Sequence, residues 1–393
     1  MIGDGWDNEP SIRPSSGEPR TEGGTRRVAV VTGSRADFGL LSPVMTAIHR
    51  QGTLELAVIA AGSHLILPAE TFRDVKKSFK IADIVPMQIA GKTGRDEDVE
   101  SVSRGIARFG RSFQKLRPDW VVVLGDRIEA FAAATAASIG GFALAHVHGG
   151  DRAEGVADEA MRHAITKLAH LHFPATAQSA DRLLRMGERP DRVVEVGSPA
   201  VDGLAHIPVL PDADFESVGS PNFVFLMHPI GRSAELEEAD SARVLAALGT
   251  TGVLALAPNH DPGRTGITKA LSEWGGRTVD HLPRERFVGL LKRLAASNGV
   301  LIGNSSTGLI EAAVLGVPVV DIGRRQAGRE RPGAVVHIET CDESALRKAI
   351  DAARLTPASE HPYGDGRSGE RIAAVLARLD PGEPSMRRKH NTY

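Results

Sequence analysis

The sequence has a single cysteine, Cys341, and aromatic residues make up only 4% of its 393 residues. One cysteine excludes a disulfide framework and a cysteine-based zinc site, and it suits a reducing cytoplasm. No apolar run reaches the roughly 18 residues of a membrane span, and the first residues lack the apolar segment of a signal peptide. The net charge of −2 gives no field for nucleic acid or an anionic membrane. We therefore expect a cytoplasmic protein with neither nucleic acid nor membrane as a partner.

The length exceeds what one ordinary core supports, and hydrophobic residues make up 41% of the chain, so two domains are the natural expectation. Residues 1–26 are polar, rich in Gly, Pro, Ser and Glu, and lack periodicity, which predicts a disordered tail. The last stretch, 381–393, is predicted to be a second, solvated tail. A segment rich in Pro, Gly and Asp, 197–222, resembles a linker between the two domains.

Short β-branched runs alternate with longer amphipathic stretches, which predicts parallel sheets covered by helices on both faces. The sequence predicts strands at 27–33, 56–62, 120–126, 142–150, 192–197, 223–229, 253–259, 300–306 and 318–323. Helices are predicted at 99–115, 128–139, 234–248, 286–297, 308–315 and 343–355. The predicted fold class is α/β, with two Rossmann-like doubly wound domains at 27–205 and 206–365. Ligands of such sheets bind at the carboxyl ends of the strands, so the cleft between the domains is the expected site.

Polar side chains follow four predicted strands of the first domain. Carboxylates that converge from separate strand ends suit acid/base chemistry. A single Asp at a strand end is usually a helix N-cap, but Asp126, Asp151 and Asp158 together favour catalysis. Asp158 and Arg162 are four residues apart and could instead simply pair. The polar residues are Arg35 and Asp37 after the first strand, Ser63 and His64 after the second, Asp126 and Arg127 after the third, and His146, His148 and Asp151 after the fourth.

The segment HVHGGD, residues 146–151, places two histidines on one face of a strand, and this would suit a metal ion. A catalytic zinc site needs about three protein ligands, however, and no HExxH pair is present. We predict neither a metal nor a cofactor. One of the two histidines could also be a buried core residue.

The second domain ends a strand with Asn-Ser-Ser-Thr-Gly, residues 304–308, directly before a helix. Backbone N–H groups at a helix N-terminus and several hydroxyls can form an anion site, although the same residues could simply cap the helix. Glu311 lies further into that helix and could accept hydrogen bonds from ribose hydroxyls. His228 ends another strand, and the basic loop 323–329 could meet a diphosphate without a divalent cation.

With these segments assembled, the chain resembles the UDP-N-acetylglucosamine 2-epimerases, and among them the hydrolysing branch that releases N-acetylmannosamine. The resemblance covers roughly residues 27–380. It is carried by VVTGSRADFGLL, AGSHL, VLGDRIEA, HGGDRAEGVADEAMRHAITKLAHLHF, VGSPAVD, PNHD and GNSSTGLIEAAVLGVPVVDIG.

The resemblance implies a GT-B-like fold, with uridine diphosphate on the second domain and a helix at 366–380 that crosses back to the first. It also implies a UDP-sugar substrate and a homodimer or homotetramer. By motif, the implied catalytic residues are Asp126, Asp151, Asp158 and His228. The implied substrate-binding residues are Arg35, His64, Arg127, His148, Asn259, Ser305, Ser306, Glu311, Arg325 and Arg329.

The reaction implied by the resemblance needs a group on each face of the sugar. A base removes the C2 proton while UDP leaves C1, which forms a 2-acetamidoglucal. Water then adds, with the proton returned to the opposite face of C2. We expect Asp126 and Asp151 to handle these transfers, with Asp158 assisting.

The chain departs from the family at several positions. The family usually has Glu where this chain has Asp151, and Ala153 and Arg324 are also departures. A carboxylate shorter by one methylene changes reach by about an ångström, which can alter rate strongly. These departures bear on the substrate and not on the fold. Three alternative functions stay open: a non-hydrolysing epimerase, a GT-B glycosyltransferase, and a nucleotide-sugar-binding regulator with an inactive site.

Overall fold

The structure is a computed structural model that describes residues 24–66, 71–92, 94–153, 159–259, 261, 263–357, 360–390 and 392. Asp158 and nearly all of the predicted N-terminal tail lie outside the described residues. Arg26, placed in that tail by the sequence, already belongs to the first strand.

The first half of the chain forms a six-stranded parallel sheet with the order β3-β2-β1-β4-β5-β6. Its strands are β1 (Arg26–Thr32), β2 (Leu54–Ala61), β3 (Ile81–Val85), β4 (Trp120–Leu124), β5 (Ala143–Val147) and β6 (Leu171–Phe173). Its helices are α1 (Arg35–Arg50), α2 (Thr71–Ser78), α3 (Arg95–Leu116), α4 (Ile128–Ile139), α5 (Glu159–Leu168) and α6 (Ala177–Arg185), with 3₁₀ turns at Gly62–Leu65 and Pro190–Arg192.

The second half forms another six-stranded parallel sheet, with the order β12-β11-β10-β7-β8-β9. Its strands are β7 (Phe223–Leu226), β8 (Val253–Leu256), β9 (Arg277–Val279), β10 (Val300–Gly303), β11 (Val319–Ile322) and β12 (Val335–Ile338). The helices are α7 (Asp212–Ser217), α8 (Ala234–Leu248), α9 (Arg264–Trp274), α10 (Arg284–Ser297), α11 (Glu343–Leu355), α12 (Ser368–Arg378) and α13 (Pro384–Arg387), with a 3₁₀ turn at Leu204–His206 and a π-helical turn at Gly308–Ala312.

Both sheets bury apolar side chains on their two faces. Within β1, Val28 and Val30 belong to one core cluster, and Ala29 and Val31 to the cluster on the other face, because successive side chains of a strand alternate. The second sheet is covered in the same way. The predicted α/β fold with two Rossmann-like domains is confirmed. Across the described parts of the chain, no helix is both long and apolar enough to cross a membrane.

Helix α12 packs on the first domain, although it follows the second sheet in the chain. Ile372 and Leu376 are buried in the same core cluster as Val44 of α1. Asp202 fixes the start of α12, since its carboxylate accepts hydrogen bonds from the backbone N–H groups of Ser368 and Gly369 at 2.9 and 2.7 Å. Asp202 lies within the predicted linker 197–222, which is therefore packed structure and not a loose connection.

Three sequence predictions need correction. Residues 192–197 form no strand, because only Val193 makes an isolated bridge, to His172. The short strands β3, β6, β9 and β12 were not predicted. Residues 381–393 were predicted as a solvated tail, but α13 buries Met386 against the first domain, and Lys389 pairs with Glu188. A buried carboxylate is stabilised by a cationic partner, and the ion pair between Glu188 and Lys389 holds the C-terminal segment against the first domain.

Glu188 should stabilise the fold in a pH-dependent way. Burial alone would raise its pKa, but hydrogen bonds from His172, Lys389 and Lys167 hold the pKa at about 2, below the ordinary 4.5. A lowered pKa adds stability that is complete above pH 4.5 and is lost as the pH falls towards 2. We expect Glu188→Gln to lower the free energy of unfolding by about 1–2 kcal/mol at pH 7, less than the full pKa difference would give, because solvent screens part of the interaction.

The thermal midpoint, measured for both proteins from pH 7 to pH 3, checks this expectation. The gap between wild type and Glu188→Gln should narrow below pH 4.5. A gap that stays constant over this range would show that the charge of Glu188 does not stabilise the fold.

Candidate active site

The order of strands in each sheet reverses at one point, which lies between β1 and β4 in the first domain and between β7 and β10 in the second. Crevices outside such points bind ligands in open α/β sheets. Asp126 follows β4, His228 follows β7, and Asn304 follows β10 directly. The strand topology therefore brings predicted site residues of both domains to the positions where a ligand is expected.

Arg162 of α5 connects two of the predicted carboxylate residues. Its guanidinium is buried, pairs with the carboxylate of Asp126, and donates from Nη1 to the backbone oxygen of Asp151 at 2.9 Å. Burial, and then the nearby Arg329, lower the pKa of Arg162 to about 9. The sequence allowed Asp158 to pair with Arg162, a pairing that lies outside the described residues; among the described residues, the carboxylate that pairs with Arg162 is that of Asp126. Spacing within a helix cannot show a partner that lies on another strand end.

The chain leaves β5 through a tight turn. His148 has a φ of 64°, and Gly150 has a φ of 79°. A side chain on Gly150 would place its Cβ 2.2 Å from the backbone oxygen of Ser179, so only glycine fits there. The turn brings Asp151 back to His148, whose Nδ1 lies 3.0 Å from the Asp151 Oδ2.

Asp151 is buried and has three side-chain partners. His148 and Arg329 contact Oδ2 at 3.0 and 3.2 Å, and Ser179 donates to Oδ1 at 2.9 Å. Burial alone would raise the pKa of Asp151, but the charges and hydrogen bonds of His148, Arg329 and Ser179 lower it to about 2. The carboxyl group is therefore ionised at neutral pH, and both of its oxygens have hydrogen-bond partners.

His146, the other histidine of this segment, is a core residue. Its Nε2 contacts the backbone oxygen of Gly125 at 2.8 Å, its Nδ1 contacts Thr166 at 3.2 Å, and it is fully buried. Burial lowers its pKa to about 3. Of the alternatives that the sequence left open, a satisfied core histidine is the one observed for His146. Among the described residues, no three His, Cys, Asp or Glu side chains come together to hold a metal ion.

His64 also has partners for both ring nitrogens. Nε2 lies 2.9 Å from the Thr32 hydroxyl and Nδ1 lies 2.8 Å from the Thr71 hydroxyl, with the ring 1% exposed. Burial, followed by the charge of Arg35, lowers its pKa to about 4. The ring is neutral and connects β1 to α2. Its contact with the substrate stays a prediction.

Arg35 and Arg127 lie at the start of α1 and just before α4. Arg35 is exposed, next to the Ser34 N-cap. Arg127 lies 3.5 Å from Asp261 of the second domain and 3.4 Å from the buried Glu129 of its own domain. Arg127 thus connects the two domains as the protein stands.

The His228 ring is oriented by backbone groups at the second reversal point. Its Nδ1 accepts a hydrogen bond from the backbone N–H of Asn259 at 3.1 Å. Burial, and then Arg325, lower its pKa to about 3, so the ring is neutral and carries its proton on Nε2. The Asn259 side chain itself donates to Asp261, so the backbone of Asn259, and not its amide, contributes to this arrangement.

Asn304 connects β10 to β7, a role that sequence reasoning did not find. Its amide accepts from the His228 N–H at 2.7 Å and donates to the His228 oxygen at 2.8 Å. Gly303 allows this approach, because a Cβ there would lie 1.9 Å from the Leu226 oxygen. The Asn-Ser-Ser sequence pointed to the segment, but only the fold shows that the first residue is structural.

Ser305 and Ser306 follow Asn304 at the start of a helical segment that runs from 306 to 314. Ser305 is almost buried and accepts from the Thr307 N–H at 3.4 Å, whereas Ser306 is partly exposed. Glu311 lies on the π-helical turn, 3.8 Å from Arg284. Burial raises its pKa above the ordinary value.

The basic loop 323–329 joins the two domains. Arg325 donates to the Asn304 oxygen at 3.3 Å, and Arg329 reaches Asp151 of the first domain at 3.2 Å. Arg182 of α6 also crosses, because it donates to the oxygens of Gly150 and Gly328 at 3.2 and 3.0 Å. Two polar groups of residues, one around Asp126 and Asp151 and one around His228 and Asn304, therefore belong to a single region between the domains.

Comparisons with known proteins agree with this architecture. A family model described as UDP-N-acetylglucosamine 2-epimerase matches residues 46–377. The chain is 33% identical to the UDP-N,N'-diacetylbacillosamine 2-epimerase (hydrolyzing) of Legionella pneumophila, over 94% of this chain and 100% of that protein. It is 30% identical to the UDP-N-acetylglucosamine 2-epimerase of Neisseria meningitidis serogroup B, over 89% and 95%.

Solved structures share the fold. The UDP-GlcNAc 2-epimerase of Neisseria meningitidis bound to UDP-GlcNAc superposes with a TM-score of 0.74 at 18% identity, over 90% of this chain and 100% of that chain. The Methanocaldococcus jannaschii UDP-GlcNAc 2-epimerase, in complex with UDP-GlcNAc and UDP, has a TM-score of 0.74 at 20% identity, over 89% and 99%.

Proposed function

The chain belongs to the UDP-N-acetylglucosamine 2-epimerase family, and on that premise we propose that it is a hydrolysing 2-epimerase. The proposed reaction converts UDP-GlcNAc and water to ManNAc and UDP. UDP is first eliminated to form a 2-acetamidoglucal, which is then hydrated with inversion at C2. The observation that carries the proposal is the pair of carboxylates, Asp126 and Asp151, beside a cluster of cationic and neutral donors from the second domain.

Loss of the leaving group must accompany removal of the C2 proton, because that proton lacks the acidity of one next to a carbonyl. Donors arranged around the diphosphate then stabilise the charge that develops on UDP. We assign this role to Arg329, Arg325 and the Nε2–H of His228, with Ser305 and Ser306 at the helix start. Glu311 is assigned to the ribose, and Asp158 stays a sequence-based candidate for assisting proton transfer.

Hydrolysis is favoured over retention of UDP by the segments GDRIE and HGGD and by the hydrolysing name of a 33% identical relative. The same relative favours a second candidate substrate, UDP-N,N'-diacetylbacillosamine. Both sugars carry the 2-acetamido group and the C2 proton that the reaction needs.

Incubation with each nucleotide sugar and chromatography of the nucleotides distinguishes the outcomes. Free UDP that forms without an added acceptor supports the proposal and identifies the preferred sugar. An epimerised sugar still attached to UDP would assign the protein to the non-hydrolysing enzymes. Release of UDP only when a sugar acceptor is added would point to a glycosyltransferase.

A further inference from the structure

Three buried side chains form a chain of hydrogen bonds that begins at the turn after β5. The Ser198 hydroxyl is 3.1 Å from Nε2 of His148, and Nδ1 of His148 is 3.0 Å from the Asp151 carboxylate. In this order, a carboxylate can orient an imidazole and stabilise its protonated form. The arrangement separates the roles of His148 and Asp151, both of which the sequence assigned to the site.

The hydrogen-bond partners limit where the protons can be. Asp151 is ionised and only accepts, so Nδ1 of His148 donates to it. Ser198 accepts from the backbone N–H of Ala200 at 3.3 Å, which leaves its own proton for Nε2 of His148. With Nδ1 donating to Asp151, Nε2 is the nitrogen that can offer an electron pair, and it is turned away from Asp151.

Asp151 is poorly suited to move a proton itself. Its oxygens accept from His148, Arg329 and Ser179, and a carboxylate whose pKa is about 2 is a weak base at neutral pH. It cannot act as an acid at that pH. Its three partners hold it in place, as an orienting group requires.

The backbone of His148 supports a special role. Four non-glycine residues in the described parts of the chain have positive φ, and two of them, Arg117 and Asn298, are ordinary helix C-caps. A third, Ser220, lies in the turn before β7. His148 alone among the four lies at a strand end in the cleft. A conformation of this kind costs of order 1 kcal/mol and is often found at functional sites.

We propose that His148 is the proton-transferring residue of this turn, and that Asp151 is a positioning residue that acts through it. The assignment rests on the proposed function. In the elimination, Nε2 of His148 takes the C2 proton as the Ser198 hydroxyl turns away. The electrons of the C2–H bond form the C1–C2 double bond, and the C1–O bond breaks with its electrons leaving on UDP.

The Asp151 carboxylate stabilises the imidazolium that forms. Asp126 is then left for the transfer on the other face of the sugar. Among the described residues, charged or titratable groups that interact with His148 or Asp151 include His146 of β5, Arg162 of α5, and Arg329 and Glu311 from the second domain.

Chemical rescue tests the assignment. His148→Gly removes the ring, and glycine suits the φ of 64° at this position. We expect kcat to fall by about 10²- to 10⁴-fold, and added imidazole to restore part of it. His146→Ala, which opens a similar cavity two residues away, is the control, and imidazole should not rescue it. His148→Asn keeps a donor for Asp151 but has no basic nitrogen, so it should lose C2 exchange and retain UDP binding.

Asp151→Asn should lower kcat and move the acidic limb of the kcat/KM profile to lower pH, because the imidazolium loses its counter-ion. A purely structural role for Asp151 would lower activity without moving that limb. An unmoved limb overturns the positioning role.

Two results overturn the role of His148. They are turnover by His148→Asn above a tenth of wild type, and no imidazole rescue of a folded His148→Gly. If the wild-type protein introduces deuterium at C2 of none of the nucleotide sugars tested, the proposed function is overturned, and this assignment with it.

Discussion

Asp126→Asn is expected to lower kcat by about 10²- to 10⁴-fold while UDP binding stays nearly unchanged. Asparagine retains a hydrogen-bond acceptor for Arg162, so the buried guanidinium keeps its contact. The asparagine amide is neither basic nor acidic enough near neutral pH to exchange a proton with C2 of the sugar. Deuterium exchange at C2 should therefore disappear, and calorimetry with UDP should give an affinity close to that of wild type.

Asp83→Asn is the matched control for Asp126→Asn. Asp83 lies on β3 at the edge of the same sheet and is 3.4 Å from Lys115, far from the strand-order reversal. This variant should keep wild-type turnover. Turnover by Asp126→Asn within tenfold of wild type would remove Asp126 from the proton-transfer steps.

Arg329→Gln is expected to weaken UDP binding by about 10- to 100-fold, since hydrogen bonds to charged groups contribute about 1.5–3 kcal/mol each. We also expect kcat to fall by ~10²-fold, because one cation no longer stabilises the leaving diphosphate. Arg329 also holds Asp151, so its loss should raise the pKa of that carboxyl from about 2. Nucleotide titration and steady-state kinetics measure the two effects separately.

Arg324 offers a control in the same loop. Its guanidinium is 78% exposed and lies 3.5 Å from Glu339, so Arg324→Gln removes an equal charge from the solvent side. Binding and turnover should stay within about twofold, because exposed ion pairs contribute little. If Arg324→Gln and Arg329→Gln weakened UDP binding equally, the effect would come from general charge and not from a contact of Arg329.

Local patterns predicted the fold well where they were strong. The helices at 128–139, 234–248 and 343–355 match their predicted bounds. Several predicted strands ran too far at their carboxyl ends. Strand β5 ends at Val147 and not at 150, because His148 takes a positive φ and starts the turn. Strands of three to five residues, such as β6 and β9, carry too few residues to show a period.

Side-chain partners within the site were harder to predict. The sequence proposed Asp126, Asp151 and Arg329 as site residues, but it did not show the ion pair from Arg162 to Asp126, which joins α5 to the end of β4. It also did not show that hydroxyls from β1 and α2 contact both ring nitrogens of His64. Pairings of this kind arise from tertiary packing, which spacing along one element does not reveal.

The C-terminal segment also makes a tertiary contact that the sequence did not predict. PGEPSMRRKHNTY is polar enough to be predicted as a solvated tail, yet Lys389 reaches Glu188 and the backbone oxygen of Thr166. The attraction comes from a buried carboxylate some two hundred residues away. Composition alone cannot predict such a contact.

NMR analysis of the reaction in deuterated water tests hydrolytic epimerisation through C2 proton removal most directly. Wild-type protein and a UDP-linked 2-acetamido sugar are incubated, and the released sugar is examined at C2. We predict free UDP and a free sugar of inverted C2 configuration that carries deuterium at that carbon. A released sugar that retains its original C2 proton would contradict the elimination, and with it the roles assigned to Asp126 and the turn at 146–151.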